Sequence, residues 1–360
     1  MQFEIKTTPT ESTSSNQRNS SMELLRIIAI ILICLSHAYQ TSQKFFDYSI
    51  NDLRWFSIIG YTGQIGNMIF VFCSAYFLCS DNCIKLKKIA KLLLDSMTIS
   101  IIICLIFLIT GAELSAEIIV KQFLPDLFFN NWFIPTYLIL YILHPLLNYL
   151  IDNSPFWLQT IVCVSILSIL SIPTIFISIN GINTVLGFVF LYYLTAYTKK
   201  NLQNKKHFAI INNFVFVVFI ILFIVIKYIE IVNKHYLFTF SVNNDFYFSP
   251  ILVISTLSLF FIFTGFAFYS KIINYLSTCT LFVYLIHENF LLRRILRPKF
   301  FAYIIDAFPN QNITIVIICS IAMLVSSYIL AIIYKHTMSK VTNIISSKLD
   351  SLSHTFYPKS

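Results

Sequence analysis

Long apolar runs alternate with short polar segments along almost the whole chain. An apolar run of about 20 residues is long enough for a helix to cross the ~30 Å hydrocarbon layer of a membrane. On this pattern we predict ten transmembrane helices, at residues 22–39, 56–78, 89–110, 132–151, 156–176, 181–197, 208–228, 249–269, 272–292 and 312–334. The predicted fold class is therefore all-α, a multi-pass integral membrane bundle of about ten transmembrane helices.

The segments outside these runs are polar and mostly short. Residues 1–21 are rich in Ser, Thr, Asn and Gln, which is typical of a flexible tail and not of a secretory signal. The connection at residues 111–131 contains Pro125 and has room for a short interfacial helix. We expect one transmembrane domain at residues 22–335 and a short polar C-terminal tail at residues 336–360.

The composition agrees with a membrane protein and argues against several other classes. Of the 360 residues, 57% are hydrophobic and 11% are charged, whereas a soluble domain carries about a quarter charged residues. Most of the eight cysteines lie inside the apolar runs, without the spacing of disulfide frameworks or zinc ligands, so we predict no metal site. The net charge is +9, but the basic residues do not form a stripe interleaved with aromatic residues, so we predict no nucleic-acid partner.

The distribution of Lys and Arg predicts the orientation in the membrane. If the N-terminus lies in the cytoplasm, the inner segments carry 15 of these residues and the outer segments carry 8. Because cytoplasmic loops carry an excess of Lys and Arg, we expect both termini in the cytoplasm, as an even number of spans also requires. The expected location is the plasma (inner) membrane of a bacterial-type envelope.

The first predicted span carries three ionisable residues, Glu23, Arg26 and His37. Each such group is disfavoured by about 2.5–3.5 kcal/mol at the centre of a bilayer, so it needs a partner or a wet cavity. Arg26 and His37 are eleven residues apart, which at 100° per residue is about 20° beyond three turns and about 16 Å along the axis. Glu23 lies within side-chain reach of Arg26. One polar face of this helix is therefore predicted to point into the bundle.

Two interpretations of this face are open. Glu23 and Arg26 could form an ion pair that snorkels to the cytoplasmic surface, and His37 could be an interfacial histidine. The presence of all three on one face favours a functional role. A histidine titrates near neutral pH, so His37 could take a proton from a hydroxyl group, which acyl transfer to an alcohol requires.

Glu23-x-x-Arg26, followed by ten residues and His37, resembles the first-helix signature of the membrane acyltransferase-3 family. Three further stretches resemble that family in the same order along the chain: residues 66–78, which include Asn67 and Tyr76; residues 132–148, which begin at Trp132; and residues 282–287, which include Tyr284 and His287. Glu23 stands where the family more often has Asp, and Ala75 replaces a usual glycine.

The resemblance implies an enzyme that acylates sugars of the cell envelope. The donor would be a cytoplasmic acyl-coenzyme A, often acetyl-coenzyme A, and no other cofactor is expected to be bound. The acceptor would be a hydroxyl group of an envelope polysaccharide or a lipid-linked glycan. His37 would act as the general base or as part of the transfer centre, and Arg26 would orient Glu23 or meet the donor phosphates.

Other polar residues are candidates for substrate binding. His287 and Glu288 lie together in the ninth predicted span, where they could handle protons, bind the acceptor or form an interhelical hydrogen bond. A basic cluster in the next outer connection could hold an anionic group or snorkel to the surface. The full set of these candidates is Asn67, Tyr76, Trp132, Tyr284, His287, Glu288, Arg293, Arg294 and Arg297.

Two other classes of protein remain as alternatives. A transporter or flippase that exports a polysaccharide or a lipid-linked sugar would also have many helices and buried charges, and such proteins usually show inverted repeats and broken helices. We find no internal repeat in the sequence. A sensor or scaffold without catalytic activity would give no reason for the alignment of Arg26 with His37.

Overall fold

Every regular element is helical in the computed structural model, which describes residues 19–46, 56–128, 131–170, 182–233, 249–308 and 312–356. The α-helices, numbered in chain order, are α1 (Ser20–Ser42), α2 (Ser57–Gly60), α3 (Thr62–Leu78), α4 (Leu86–Ile109), α5 (Ala116–Phe123), α6 (Phe133–Asp152), α7 (Phe156–Leu170), α8 (Ile182–Tyr197), α9 (Phe208–Asn233), α10 (Pro250–Thr264), α11 (Lys271–Ser277), α12 (Thr280–His287), α13 (Arg297–Ala307), α14 (Asn312–His336) and α15 (Met338–Phe356). The chain also forms two π-helical turns. One, Thr198–Leu202, directly follows α8, and the other, Leu292–Leu296, directly precedes α13. The all-α prediction is confirmed for these ranges.

Six helical segments of the described ranges are long and apolar enough to cross a membrane. They are α1, Ile58–Leu78, α4, α6, Phe208–Ile229 and α14, and α7 and α10 contain shorter apolar stretches. The outer surface is apolar as well: on α9, Ile210 is 71% exposed and Phe214 is 68% exposed. Lipid is the solvent that such a surface requires, so the chain is a membrane protein. The number of ten spans and the orientation of the termini stay predictions.

The prediction that the ninth span is a single helix is wrong. Residues 272–292 fall into α11 and α12, which are separated at Thr278 and Cys279, and the chain leaves α12 at Glu288. The local sequence explains the break between α11 and α12. Hydroxyl side chains donate hydrogen bonds to nearby backbone carbonyls and so compete with the backbone hydrogen bonds of a helix. Thr278 donates to Tyr275 O at 2.6 Å, and Thr280 donates to Ser277 O at 2.8 Å.

Two connecting segments contain further helices. The short helix expected between residues 111 and 131 is present as α5, which is capped by the Ser115 side chain. The C-terminal segment is not simply a polar tail, because residues 338–356 form α15, which packs against α4. The predicted N-terminal tail at residues 1–21 lies outside the described residues except at its end, where Asn19 caps α1.

Helix α1 lies at the centre of the bundle, in contact with α2, α3, α10, α11, α12, α13 and α14. Its closest neighbour is α3, because two glycines of α3 face α1. A Cβ atom at Gly63 would lie 2.6 Å from Ser36 Oγ, and a Cβ atom at Gly66 would lie 2.6 Å from Ala29 O. Small residues at such positions let two membrane helices approach closely. This contact fixes the position of the polar face of α1.

Candidate active site

A buried polar centre joins α1 to the end of α12. His37 Nδ1 lies 3.1 Å from His287 Nε2 and 3.0 Å from Glu288 Oε1. The His287 and Glu288 side chains are almost fully buried, whereas the His37 side chain remains 16% exposed. The structure therefore brings together residues that are 250 positions apart, and His37 is the most exposed of the three.

The hydrogen bonds of His287 decide which nitrogen of His37 carries a proton. His287 Nδ1 lies 2.9 Å from the carbonyl oxygen of Val283, which can only accept, so Nδ1 is the protonated nitrogen. In the neutral ring His287 Nε2 is then an acceptor, and Glu288 Oε1 is an acceptor as well. His37 Nδ1–H must donate to this pair, which leaves His37 Nε2 with a free lone pair. That arrangement is the one a general base requires.

Two arginines hold the Glu288 carboxylate. Arg297 Nη2 donates to Glu288 Oε1 at 2.9 Å and also to the carbonyl oxygen of His287. Arg293 Nη1 donates to Glu288 Oε2 at 3.1 Å. Arg293 lies in the π-helical turn Leu292–Leu296, a type of irregularity that often occurs at functional sites. The carboxylate is therefore paired on both oxygens and kept in place beneath His37.

A small polar cavity of about 80 Å³ lies beside His37. Its lining residues come from α1, from α2 and α3, from the start of α6 and from the segment after α12, and they are Ser36, His37, Gln40, Gly60, Gly63, Gln64, Asn67, Trp132, Glu288, Arg293 and Arg297. Gln64 Oε1 is buried and has no hydrogen-bond partner among the described residues. An unpaired buried acceptor is costly, so this oxygen is placed to receive a hydroxyl or amide hydrogen of a bound molecule.

A larger cavity of about 300 Å³ lies on the other side of Asn67, which lines both cavities. Arg26 lines this cavity, together with Ser277, Thr278 and Tyr284. The remainder of the wall is mostly apolar. The two cavities share Asn67 in their walls, and Arg26 lines one of them while His37 lines the other.

Glu23 and Arg26 form the expected ion pair, with Arg26 Nη1 at 3.2 Å from both carboxylate oxygens. Glu23 is buried and also accepts a hydrogen bond from the Ser277 hydroxyl at the end of α11. Arg26, with which Glu23 is paired, lines the larger cavity, whereas His37 lines the smaller one. The three predicted catalytic residues therefore do not meet at one point. Glu23 holds Arg26 and the break in the ninth span in place.

The remaining candidates occupy different places. Trp132 lines the small cavity beside His37, as expected of a residue that contacts a substrate. Tyr76 lines neither cavity; Gln203 Nε2 donates to its hydroxyl at 3.3 Å, and Lys199 lies 4.1 Å from its ring centroid. Arg294 also lines neither cavity and lies over the ring of Phe290.

His37, His287 and Glu288 could also be considered as metal ligands, because their ligand atoms lie within 4.8 Å of one another. The two guanidinium groups of Arg293 and Arg297 already occupy both oxygens of Glu288. They would repel a cation at this place. The chemistry of this centre therefore fits proton handling better than metal binding, and the absence of a metal stays a prediction.

The fold and this centre define a helical membrane protein with a histidine–carboxylate pair beside a small polar cavity. The sequence model of the acyltransferase domain family, acyltransferase-3, matches residues 19–332. The chain therefore belongs to the acyltransferase-3 family, which supports acyl transfer in general as its activity. Comparisons with curated proteins and with solved structures give no match.

Proposed function

We propose that this protein transfers an acyl group, most simply acetyl, from cytoplasmic acyl-coenzyme A to a hydroxyl group of an envelope polysaccharide or lipid-linked glycan. The observation that carries the proposal is the hydrogen bond of His37 Nδ1 to His287 and Glu288, which leaves Nε2 as a base beside a polar cavity. Membership of the acyltransferase-3 family supports the reaction class.

In the proposed reaction His37 Nε2 removes the proton from the acceptor hydroxyl. The oxygen attacks the thioester carbonyl, a carbon–oxygen bond forms, and the carbon–sulfur bond breaks. The thiolate of coenzyme A leaves and recovers the proton from His37. Glu288 stabilises the imidazolium that forms in between, because its carboxylate lies 3.0 Å from Nδ1.

In this proposal each substrate occupies one of the two cavities. The donor thioester enters through the larger cavity, where Arg26 is available to its phosphates. The acceptor occupies the smaller cavity, where Gln64 and Trp132 offer a hydrogen-bond acceptor and an aromatic surface for a sugar ring. Asn67, which lines both cavities, lies at the point where the two substrates would meet.

One observation favours the alternative of an exporter. The break between α11 and α12 resembles the discontinuous helices that many transporters use at their binding sites. The two functions differ in what happens to the glycan, because an acyltransferase changes its mass and an exporter changes its amount at the cell surface.

The experiment that tests the proposal is deletion of the gene, followed by mass spectrometry of the envelope glycans. We expect an acyl-sized mass increment to disappear on deletion, to return with the wild-type gene, and not to return with His37→Ala at an equal protein level. Retention of the increment together with a fall in surface glycan would contradict the proposal and favour export.

A further inference from the structure

Helix α15 is held against the bundle by a buried carboxylate in α4. Asp95 Oδ1 accepts hydrogen bonds from Tyr334 Oη at 2.8 Å and from Thr342 Oγ1 at 2.6 Å. Asp95 Oδ2 pairs with Lys91 Nζ at 2.8 Å, and this amine also donates to Ser339 Oγ at 3.0 Å. One carboxylate thus ties α15 to the last membrane span, α14, and to α4.

A second contact sets the direction of α15. Lys87 N, in the first turn of α4, donates to Asp350 Oδ1 at 3.2 Å. Thr342 therefore lies beside Asp95, and Asp350 lies beside Lys87, so α15 runs antiparallel to the first turns of α4. Those turns belong to a candidate membrane span, Leu86–Ile109. Helix α15 accordingly runs alongside the first turns of a candidate membrane span.

The side chains of α15 divide into three faces when they are placed at 100° per residue. The face toward the protein is polar and consists of Ser339, Thr342, Ser346 and Asp350, of which Thr342 and Ser346 are buried. A second polar face consists of Lys340, Asn343 and Ser347, of which Lys340 and Asn343 are exposed. The third face is apolar and open, and consists of Met338, Val341, Ile344, Ile345 and Leu349, each between 40% and 57% exposed.

This arrangement is the reverse of that in a helix packed on a soluble protein, which buries its apolar face. A helix with an apolar face toward the hydrocarbon and a polar face toward water is typical of the membrane interface. Only Thr337 separates α15 from α14, which is a candidate membrane span that ends at His336. The apolar face therefore begins where a membrane span ends.

We propose that α15 lies along the end of α4 with its apolar face in contact with the lipid of the adjoining leaflet. Lys348 lies within the apolar arc and can extend its amine to the headgroups, and Lys340 lies at its edge. Both lysines favour anionic headgroups, whose phosphate charges attract basic residues next to a membrane. The lipid surface, and not a second copy of this chain, is the partner that this combination of apolar and basic residues fits.

The test is a measurement of depth with nitroxide spin labels on the full-length protein in lipid vesicles. Cys83 is the one exposed cysteine among the eight, all of which the structure describes, so Cys83→Ser provides a background with little labelling. Single cysteines then replace Ile345 on the apolar face and Asn343 on the open polar face. Val341→Cys gives a second position on the apolar face in case one variant fails to fold.

We expect labels at positions 345 and 341 to be more accessible to dissolved oxygen than to a water-soluble nickel chelate, and the label at position 343 to show the opposite order. Anionic vesicles should move the label at 345 deeper than zwitterionic vesicles do. The proposal is overturned if the labels at 345 and 341 are as accessible to nickel as the label at 343. It is also overturned if they are shielded from both reagents and show spin–spin broadening between copies, which would identify a second copy as the partner.

Discussion

Replacement of Gly63 by alanine should impair the centre without changing any polar group. The new Cβ would lie 2.6 Å from Ser36 Oγ and 2.8 Å from Ser36 Cβ, whereas ordinary contact begins at 3.4 Å. A rotation of the Ser36 side chain could move Oγ but not Cβ. The backbones of α1 and α3 must therefore separate by about 0.6 Å, the difference between 3.4 and 2.8 Å.

The next residue on α1 is His37, so the shift moves the base relative to its substrates. A misplacement of about 1 Å can cost about 100-fold in rate, and we expect Gly63→Ala to lower kcat by about 10- to 100-fold. Overpacking should also cost about 1–3 kcal/mol in the free energy of unfolding. The assay is the initial rate of acyl transfer per amount of folded protein, together with the thermal unfolding midpoint in detergent.

Two controls separate crowding from a general loss of stability. Gly265→Ala places its Cβ 3.3 Å from the carbonyl oxygen of Ile262, at the end of α10, and should leave the rate nearly unchanged. Ser36→Gly removes both atoms that the new methyl group meets, so the double variant with Gly63→Ala should recover much of the rate. Full activity and unchanged stability of Gly63→Ala alone would refute the reasoning.

Three other predictions concern buried carboxylates. Glu288→Gln leaves Arg297 without its charged partner, so the free energy of unfolding should fall by about 3–5 kcal/mol. The rate of acyl transfer should fall as well, and an unchanged rate would show that His37 does not depend on this carboxylate. Burial raises the pKa of Asp126, in the connection after α5, to about 6, so its stabilising contribution is present at low pH and is lost as the pH rises through 6. Asp126→Asn should therefore raise the unfolding midpoint more at pH 8 than at pH 5, and equal shifts would contradict this. Asp95→Asn should weaken the attachment of α15, which limited proteolysis would detect as faster cleavage near Thr342; unchanged cleavage would argue against the role of Asp95.

The polar face of α1 could be predicted from the sequence because it depends on local helical geometry. The periodicity of one helix fixes that Glu23, Arg26 and His37 share a face, and the cost of buried charge predicts that this face points inward. The ion pair of Glu23 with Arg26 follows from their spacing and is present in the structure.

The partners of His37 could not be predicted in the same way. Glu288 and His287 stood out as polar residues in an apolar run, but their contact with His37 spans 250 positions and depends on how the bundle packs. The break in the ninth span was hidden because apolar residues continue on both sides of it. The Ser277-Thr278-Cys279-Thr280 stretch was the available signal, since its hydroxyl groups compete for backbone carbonyls.

Helix α15 was missed for a related reason. Its sequence has a helical repeat of apolar residues, but the frequency of Ser, Thr and Lys made it resemble a tail. The orientation of α15 depends on Asp95 in α4, which accepts a hydrogen bond from Thr342 and so holds the hydroxyl-bearing face of α15 against the protein. A sequence pattern alone would assign the apolar face to the protein core.

The measurement that tests the central claim most directly is acyl transfer by the purified protein in lipid vesicles. Labelled acetyl-coenzyme A is supplied on one side, the envelope glycan fraction is supplied as acceptor, and wild type is compared with His37→Gln. The account predicts a loss of about 100- to 10,000-fold in transfer for the variant, with binding of acetyl-coenzyme A and thermal stability unchanged. Equal transfer by the two proteins would contradict the role of His37 as the base.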